Sequence, residues 1–159
     1  IDTKHWGIVE NTLVDPRPRA VNFTADSAQL WATSEMAGSV IVVDTASKQI
    51  AHTIKLEVPG LNNDLIQPVG VVIDKNRRYA YVAMGPANRI AVINAQTFQV
   101  EQYLLVGQRV WNLAFSPDQQ RLYTSNGLSN DVSVIDLNTF KVTKSVAVGR
   151  YPWGVAVKP

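Results

Sequence analysis

Three observations predict an all-β chain, a β-propeller of four-stranded antiparallel blades. A unit of 42 residues recurs along the 159-residue chain, each copy carries four short apolar runs, and no segment sustains a helical period. The runs are rich in Val, Ile, Tyr and Phe and are separated by Asp, Asn, Gly and Pro clusters. A single small sheet of this kind cannot cover both of its faces, so repeated sheets pack face to face about an axis.

In chain order, residues 1–14 match the end of a unit, the tail of a third strand followed by an outer strand. Residues 17–56 make the first whole blade, read through "VNFTADSAQLWATSEMAGSVIVVDTASKQIAHTI", in which "WATS" stands where later copies have a tyrosine-led strand. Residues 57–66, "EVPGLNNDLI", form an insertion loop that moves the offset to the next copy from 42 to 50. Residues 67–107 and 109–149 are the second and third blades, in gapless register: Tyr81 falls on Tyr123, Asn94 on Asp136 and Gly107 on Gly149. In the third, "VWNLAF", "RLYTS", "DVSVI" and "KVTKSVAV" are the four strands. Residues 151–159 begin a further blade with its innermost strand. Neither end supplies that blade's second strand. The ends therefore imply a missing N-terminal propeller region or a second copy of the chain, and the 159 residues alone are not expected to be a stable monomer.

Composition narrows the function classes. A hydrophobic content of 46% supplies an ordinary core, and 18% charged residues is too few for a disordered segment. No apolar run approaches the ~20 residues of a membrane helix, so no membrane span is expected. The absence of cysteine excludes a disulfide framework and a thiolate metal site. A net charge of +2 disfavours a nucleic-acid partner.

The residues that look chemical are mostly repeated. Asp44, Asn94 and Asp136 recur just after the third strand, and Asp26, Asn76 and Asp118 recur between the first and second strands. An Asx side chain in such a place accepts from the backbone two residues on and starts the turn. A catalytic carboxylate needs a singular environment, which a side chain copied in every blade lacks. His5 and His52 have no acidic or histidine neighbour at metal-ligand spacing, and Ser116, Ser125 and Ser129 lack a nucleophile elbow. Asn62, Asn63 and Asp64 in the insertion lack the Gly and terminal Glu of a calcium loop. No catalytic residue, metal site or cofactor is expected.

The lead-ins to the first strands are more informative. "RPRAV", "QPVGV", "RVWNL" and "YPWGV" place Arg19, Val69, Trp111 and Trp153 at equivalent positions, with Arg17, Gln67, Arg109 and Tyr151 two residues earlier. These lead-ins converge on one face of a propeller with the loops between second and third strands, which adds Asn126, Asn130, Arg150 and the insertion near Asp64. Arginine forks beside indoles suit a planar anion or carboxylate. The candidate rim for a ligand or partner is thus Arg17, Arg19, Arg109, Trp111, Asn126, Arg150, Tyr151 and Trp153. A second reading stays open, in which Trp111 and Trp153 wedge between blades and the arginines solvate the rim.

"YVAM" (Tyr81 to Met84) and "YTSN" (Tyr123 to Asn126), followed by "IAVIN" and "VSVID" and closed by "VGQ" and "VGR", resemble the YVTN-type β-propeller repeat family over essentially the whole chain. "FSPDQQRLYTSNGLSNDVSVIDLNTFKV" and "VGRYPWGVAVKP" are similar to the propellers associated with PQQ-dependent alcohol catabolism in bacteria. The resemblance implies about seven blades and a periplasmic or secreted protein beside a quinoprotein oxidation. With the rim, it points to a noncatalytic module that binds a protein partner or small anionic ligand; a lactonase-like hydrolase is the alternative, and the Trp, Val, Gly and Ala of the channel positions give it little support.

Overall fold

A computed structural model describes residues 1–158. Three sheets follow one another along the chain, each with four antiparallel strands in sequential order. The first holds β1 (Pro18–Phe23), β2 (Gln29–Ser34), β3 (Ser39–Asp44) and β4 (Ile50–Lys55). The second holds β5 (Val71–Ile73), β6 (Tyr79–Ala83), β7 (Arg89–Asn94) and β8 (Val100–Leu105), and the third β9 (Val110–Phe115), β10 (Arg121–Asn126), β11 (Asp131–Asp136) and β12 (Lys141–Ala147). Each sheet is a propeller blade. "WATS" forms β2 in the same register as its counterparts, with Trp31 fully buried and its indole N–H donating to Gln29 Oε1 at 3.2 Å.

Burial separates the middle blade from its neighbours. Val82, Ala91 and Ile93 face Trp31, Val40 and Val42 of the first blade, while Tyr81, Ala83, Ile90 and Val92 face Val110, Leu113, Leu122 and Ile135 of the third. Strands β6 and β7 are therefore buried on both sides, which is why "AYVA" and "IAVI" read as continuous apolar runs. Full burial of one such aliphatic side chain contributes about 1.5–3 kcal/mol, so two-sided packing is a main source of stability in this chain. The outer faces of the first and third blades are less completely covered: on the first Val14 and Leu30 pack on the buried Ala32, Ile41 and Val43 but leave Val21, Phe23 and Ile50 exposed, and on the third Val132, Val134 and Val146 are only partly covered.

The turns repeat as closely as the strands. A left-handed residue sits at Ser27, Arg77 and Gln119, at Gly38, Asn88 and Asn130, and at Lys48, Phe98 and Phe140. Asp136 Oδ1 accepts from the N–H groups of Asn138 and Thr139 at 2.8 and 3.0 Å, and Asn94 Oδ1 accepts from Gln96 and Thr97 at 2.9 and 3.0 Å. Asp44 Oδ1 takes both the N–H and the hydroxyl of Ser47. Between first and second strands, Asp26 and Asp118 accept from the Thr24 and Ser116 hydroxyls and from the N–H two residues on. Asn76 departs from this scheme. Its place as acceptor is taken by Asp74, which receives the Asn76 N–H at 2.8 Å and the Tyr79 N–H at 2.7 Å, because an aspartate here does alone what the hydroxyl and carboxylate share elsewhere.

The chain ends correct the sequence reading. Residues 1–14 keep the turn of a third-to-fourth strand hairpin: Asp2 N–H donates to Gly7 O at 2.9 Å, as Asp44 does to Gln49 and Asn94 to Gln99, and Trp6 is left-handed like Lys48. They form no outer strand, since a strand exists only by pairing and no third strand lies beside them. Residues 151–158 likewise form no strand, and Pro159 lies outside the described residues.

The Asp26, Asp44, Asp118 and Asp136 carboxyls are held below the usual carboxylate range, chiefly by the Thr24 hydroxyl, the Ser47 N–H, the Ser116 hydroxyl and the Thr139 N–H respectively. A carboxyl lowered on folding stabilises the fold above its unfolded pKa of about 3.9, and that stability is lost as pH falls through the folded value. Urea midpoints should therefore be flat between about pH 7 and 5 and fall below about pH 4. Replacing Asp44 and Asp136 with Asn, which Asn94 shows the turn accepts, should soften the acid decline; an unchanged decline would contradict this assignment.

Candidate functional site

The lead-ins to β1, to β9 and to the C-terminal segment turn through a sharp reversal, which Gln67, after the insertion loop, does not share. Arg17, Arg109 and Tyr151 are all left-handed, with φ of 61°, 54° and 52°, which turns the outgoing chain inward just before an innermost strand. Side chains of the preceding blade fix the reversal: Asn88 Oδ1 accepts from Arg109 N–H at 2.7 Å, and Asn130 Oδ1 accepts from Tyr151 N–H at 2.8 Å. The next residues are then pinned across the blades. Thr33 Oγ1 donates to Val69 O at 2.6 Å, Gly70 N–H donates to Trp111 O at 3.0 Å, and Ser125 Oγ donates to Trp153 O at 3.2 Å. Residues 151–154 thus sit where a fourth blade would begin, although they pair with no second strand.

These pins bring four of the expected rim residues together. The Trp111 and Trp153 rings stack with centroids 4.4 Å apart and planes 27° apart. The Arg109 guanidinium lies 4.9 Å from the Trp111 centroid, and the Arg19 guanidinium lies 5.9 and 5.8 Å from Trp111 and Trp153. Arg19, Val69, Gly70, Trp111, Asn112 and Trp153 line a cavity of about 310 Å³. Trp153 is 62% exposed, so one indole face remains open to a ligand. The indole of Trp111 also leans on the backbone at Gly127, where a Cβ would lie 2.2 Å from Nε1.

The other expected residues fall elsewhere. Asn126 is fully buried, accepts from the Thr124 hydroxyl and donates to the Ser133 hydroxyl, so it braces the loop and cannot reach a ligand. Tyr151 is exposed and held by its backbone, and Arg150 is exposed on the adjoining loop. Arg17 is drawn away from the indoles into a separate cavity of about 590 Å³ under the insertion loop. His5 pairs with the Asp2 carboxylate, and His52 stacks on Phe98 at 3.7 Å. Among the described residues no group of three His, Cys, Asp or Glu side chains is placed to hold a metal ion.

The residue that sequence reading missed is Glu35. Its side chain is 5% exposed, and its Oε2 lies 3.0 Å from Arg17 Nε and 3.2 Å from Arg19 Nε, with neither N–H aligned for a hydrogen bond. Leaving a buried charge without its partners costs about 3–5 kcal/mol, so Arg17 and Arg19 belong to the fold as well as to the rim. Because each arginine meets Glu35 through Nε, its terminal Nη groups remain for a ligand. The signal was present in the sequence: Glu35 stands where the second and third blades have Gly85 and Gly127, a carboxylate in one copy only.

The close approach at Gly127 gives a test of the stacked pair. Gly127→Ala should displace the Trp111 indole, lower stability by about 1 kcal/mol and change the tryptophan emission. Gly149→Ala, with nothing within 4 Å of its Cβ, should do neither; equal behaviour of the two variants would show that the Trp111 position is not set by this contact.

Neither a family model nor a curated protein matches this chain. Among solved structures it is similar to Kuenenia stuttgartiensis hydrazine synthase, with a TM-score of 0.78 and 21% identity over 93% of this chain and 42% of that one. It is also similar to U3-55K, with a TM-score of 0.74 and 16% identity over 86% and 41% of the two chains. The WD40 repeats of RRP9 give a TM-score of 0.74 and 16% identity over 87% and 40%. The chain spans less than half the length of these structures. At such identities the likeness is one of fold, and the fold is that of propeller blades.

Proposed function

We propose that the chain is a noncatalytic propeller module that binds a small planar anion, or a carboxylate-bearing segment of a protein partner, at the Arg19, Arg109, Trp111 and Trp153 rim. The observation that carries this reading is the stacked indole pair with the Arg109 guanidinium beside Trp111, the Arg19 guanidinium about equally near both rings, and one indole largely exposed. A flat ligand gains contact area on an indole face, and its carboxylate gains charge-assisted hydrogen bonds from the arginines. The resemblance to the propellers associated with PQQ-dependent alcohol catabolism supports a periplasmic setting beside a quinoprotein oxidation, and cell fractionation of a tagged chain checks the compartment.

Tryptophan fluorescence titration with benzoate tests the rim. Arg109→Ala should weaken binding about tenfold, the loss of one charge-assisted contact, with an unfolding midpoint close to that of the parent. Arg19→Ala should weaken binding and also lower stability, because it strips Glu35 of one of its two partners. Unaltered affinity in Arg109→Ala would reject the rim as an anion site.

A further inference from the structure

The insertion loop does more than join two blades. With the first blade it encloses the cavity of about 590 Å³, whose lining holds two cations, Arg17 and Lys55, and two carboxylates, Glu57 and Asp64, beside Glu35. The side chains of Arg17 and Lys55 are 57% and 58% exposed, so both can be reached. Arg17 is oriented by Glu35, and Lys55 is steadied by donating to Ala37 O at 3.1 Å, with Asp15 Oδ2 at 3.9 Å.

The acidic side is built with equal care. The phenol of Tyr103, from the second blade, donates to Glu57 O at 2.6 Å and accepts from Glu57 N–H at 3.3 Å. Asn62 Oδ1 accepts from Asp64 N–H at 3.0 Å, and Gln67 Nε2 donates to Asp64 O at 2.9 Å. These bonds fix the backbone of both acids and leave their carboxylates unengaged: none of the described ion pairs uses Glu57 or Asp64. Met36, Leu56 and Ile66 add an apolar part to the lining.

A simple anion in this cavity would meet two uncompensated carboxylates, and a simple cation would meet Arg17 and Lys55. A ligand with both charges satisfies both sets. We propose that the cavity under the insertion loop binds a small zwitterion, a free amino acid or short peptide whose carboxylate is taken by Arg17 and Lys55 and whose ammonium group is taken by Asp64 and Glu57. The site is separate from the indole rim, since Lys55 and Asp64 take no part in that cavity.

Calorimetric titration of the 159-residue chain with L-alanine and L-alanyl-L-alanine tests this, with N-acetyl-L-alanine and L-alaninamide as the probes that lack one charge. At least one zwitterion should bind, and about tenfold more tightly than either single-charge analogue. Asp64→Asn and Lys55→Ala, both at exposed side chains, should each weaken it about fivefold while unfolding midpoints stay unchanged. Arg109→Ala should leave zwitterion binding as it is, so failure of the rim and failure of this cavity can be told apart. N-acetyl-L-alanine binding as tightly as L-alanine would reduce the cavity to an anion site and overturn the proposal. Binding of glucose in place of any zwitterion, or no zwitterion binding at ~10 mM, would overturn it as well.

Discussion

A four-stranded blade has two apolar faces and can cover neither by itself. Everything else in this chain follows from that constraint. The middle blade meets it on both sides, with Val82 and Ile93 toward the first blade and Tyr81 and Ile90 toward the third, and its two central strands are almost wholly apolar as a result. The first blade meets it toward the middle blade and, around Ile41 and Val43, through Val14 of the N-terminal segment, whereas the third meets it on one side. What stays uncovered on these faces, Val21 and Phe23 on the first blade and Val132 and Val146 on the third, keeps partial contact with water.

Face-to-face packing also decides where function can sit. After the second and third blades the chain crosses through the same left-handed reversal, pinned by the same side-chain bond, from Asn88 to Arg109 and from Asn130 to Tyr151; after the first blade the insertion loop replaces it. Residues at one repeat position therefore arrive side by side. That is how Trp111 and Trp153, 42 residues apart, come to stack. The first blade breaks the symmetry, with Glu35 in place of a glycine and an insertion loop after β4, and these two departures produce the second cavity and the two arginines that share one buried carboxylate.

Much of this was legible in the sequence. Register and strand order followed from the repeat, because a period of 42 with four apolar runs admits few other arrangements. The turn residues were legible where the side chain acts on its own backbone, as Asp44 and Asp136 do; at Asn76 the acceptor had moved two residues to Asp74, a swap that local pattern does not reveal. The ends were misread for a different reason. Ile1 to Val14 and Tyr151 to Val157 have strand-like sequences, but pairing is non-local, and neither has a neighbour to pair with. At the rim, equivalence found the indoles and Arg19 yet misplaced Asn126, whose amide is consumed inside the blade, and Arg17, which the insertion draws aside. Glu35 leaves no mark on the pattern the copies share, because a singular carboxylate is visible only as a difference between them, here against Gly85 and Gly127.

Amide hydrogen exchange measures the packing constraint strand by strand. If two-sided burial is what stabilises the chain, the slowest amides will be those of Val40 to Val42, Ala80 to Val82 and Ile90 to Val92, with β4 and β12 exchanging far sooner. Uniform protection across the three sheets, or slowest exchange in the third blade, would contradict the account.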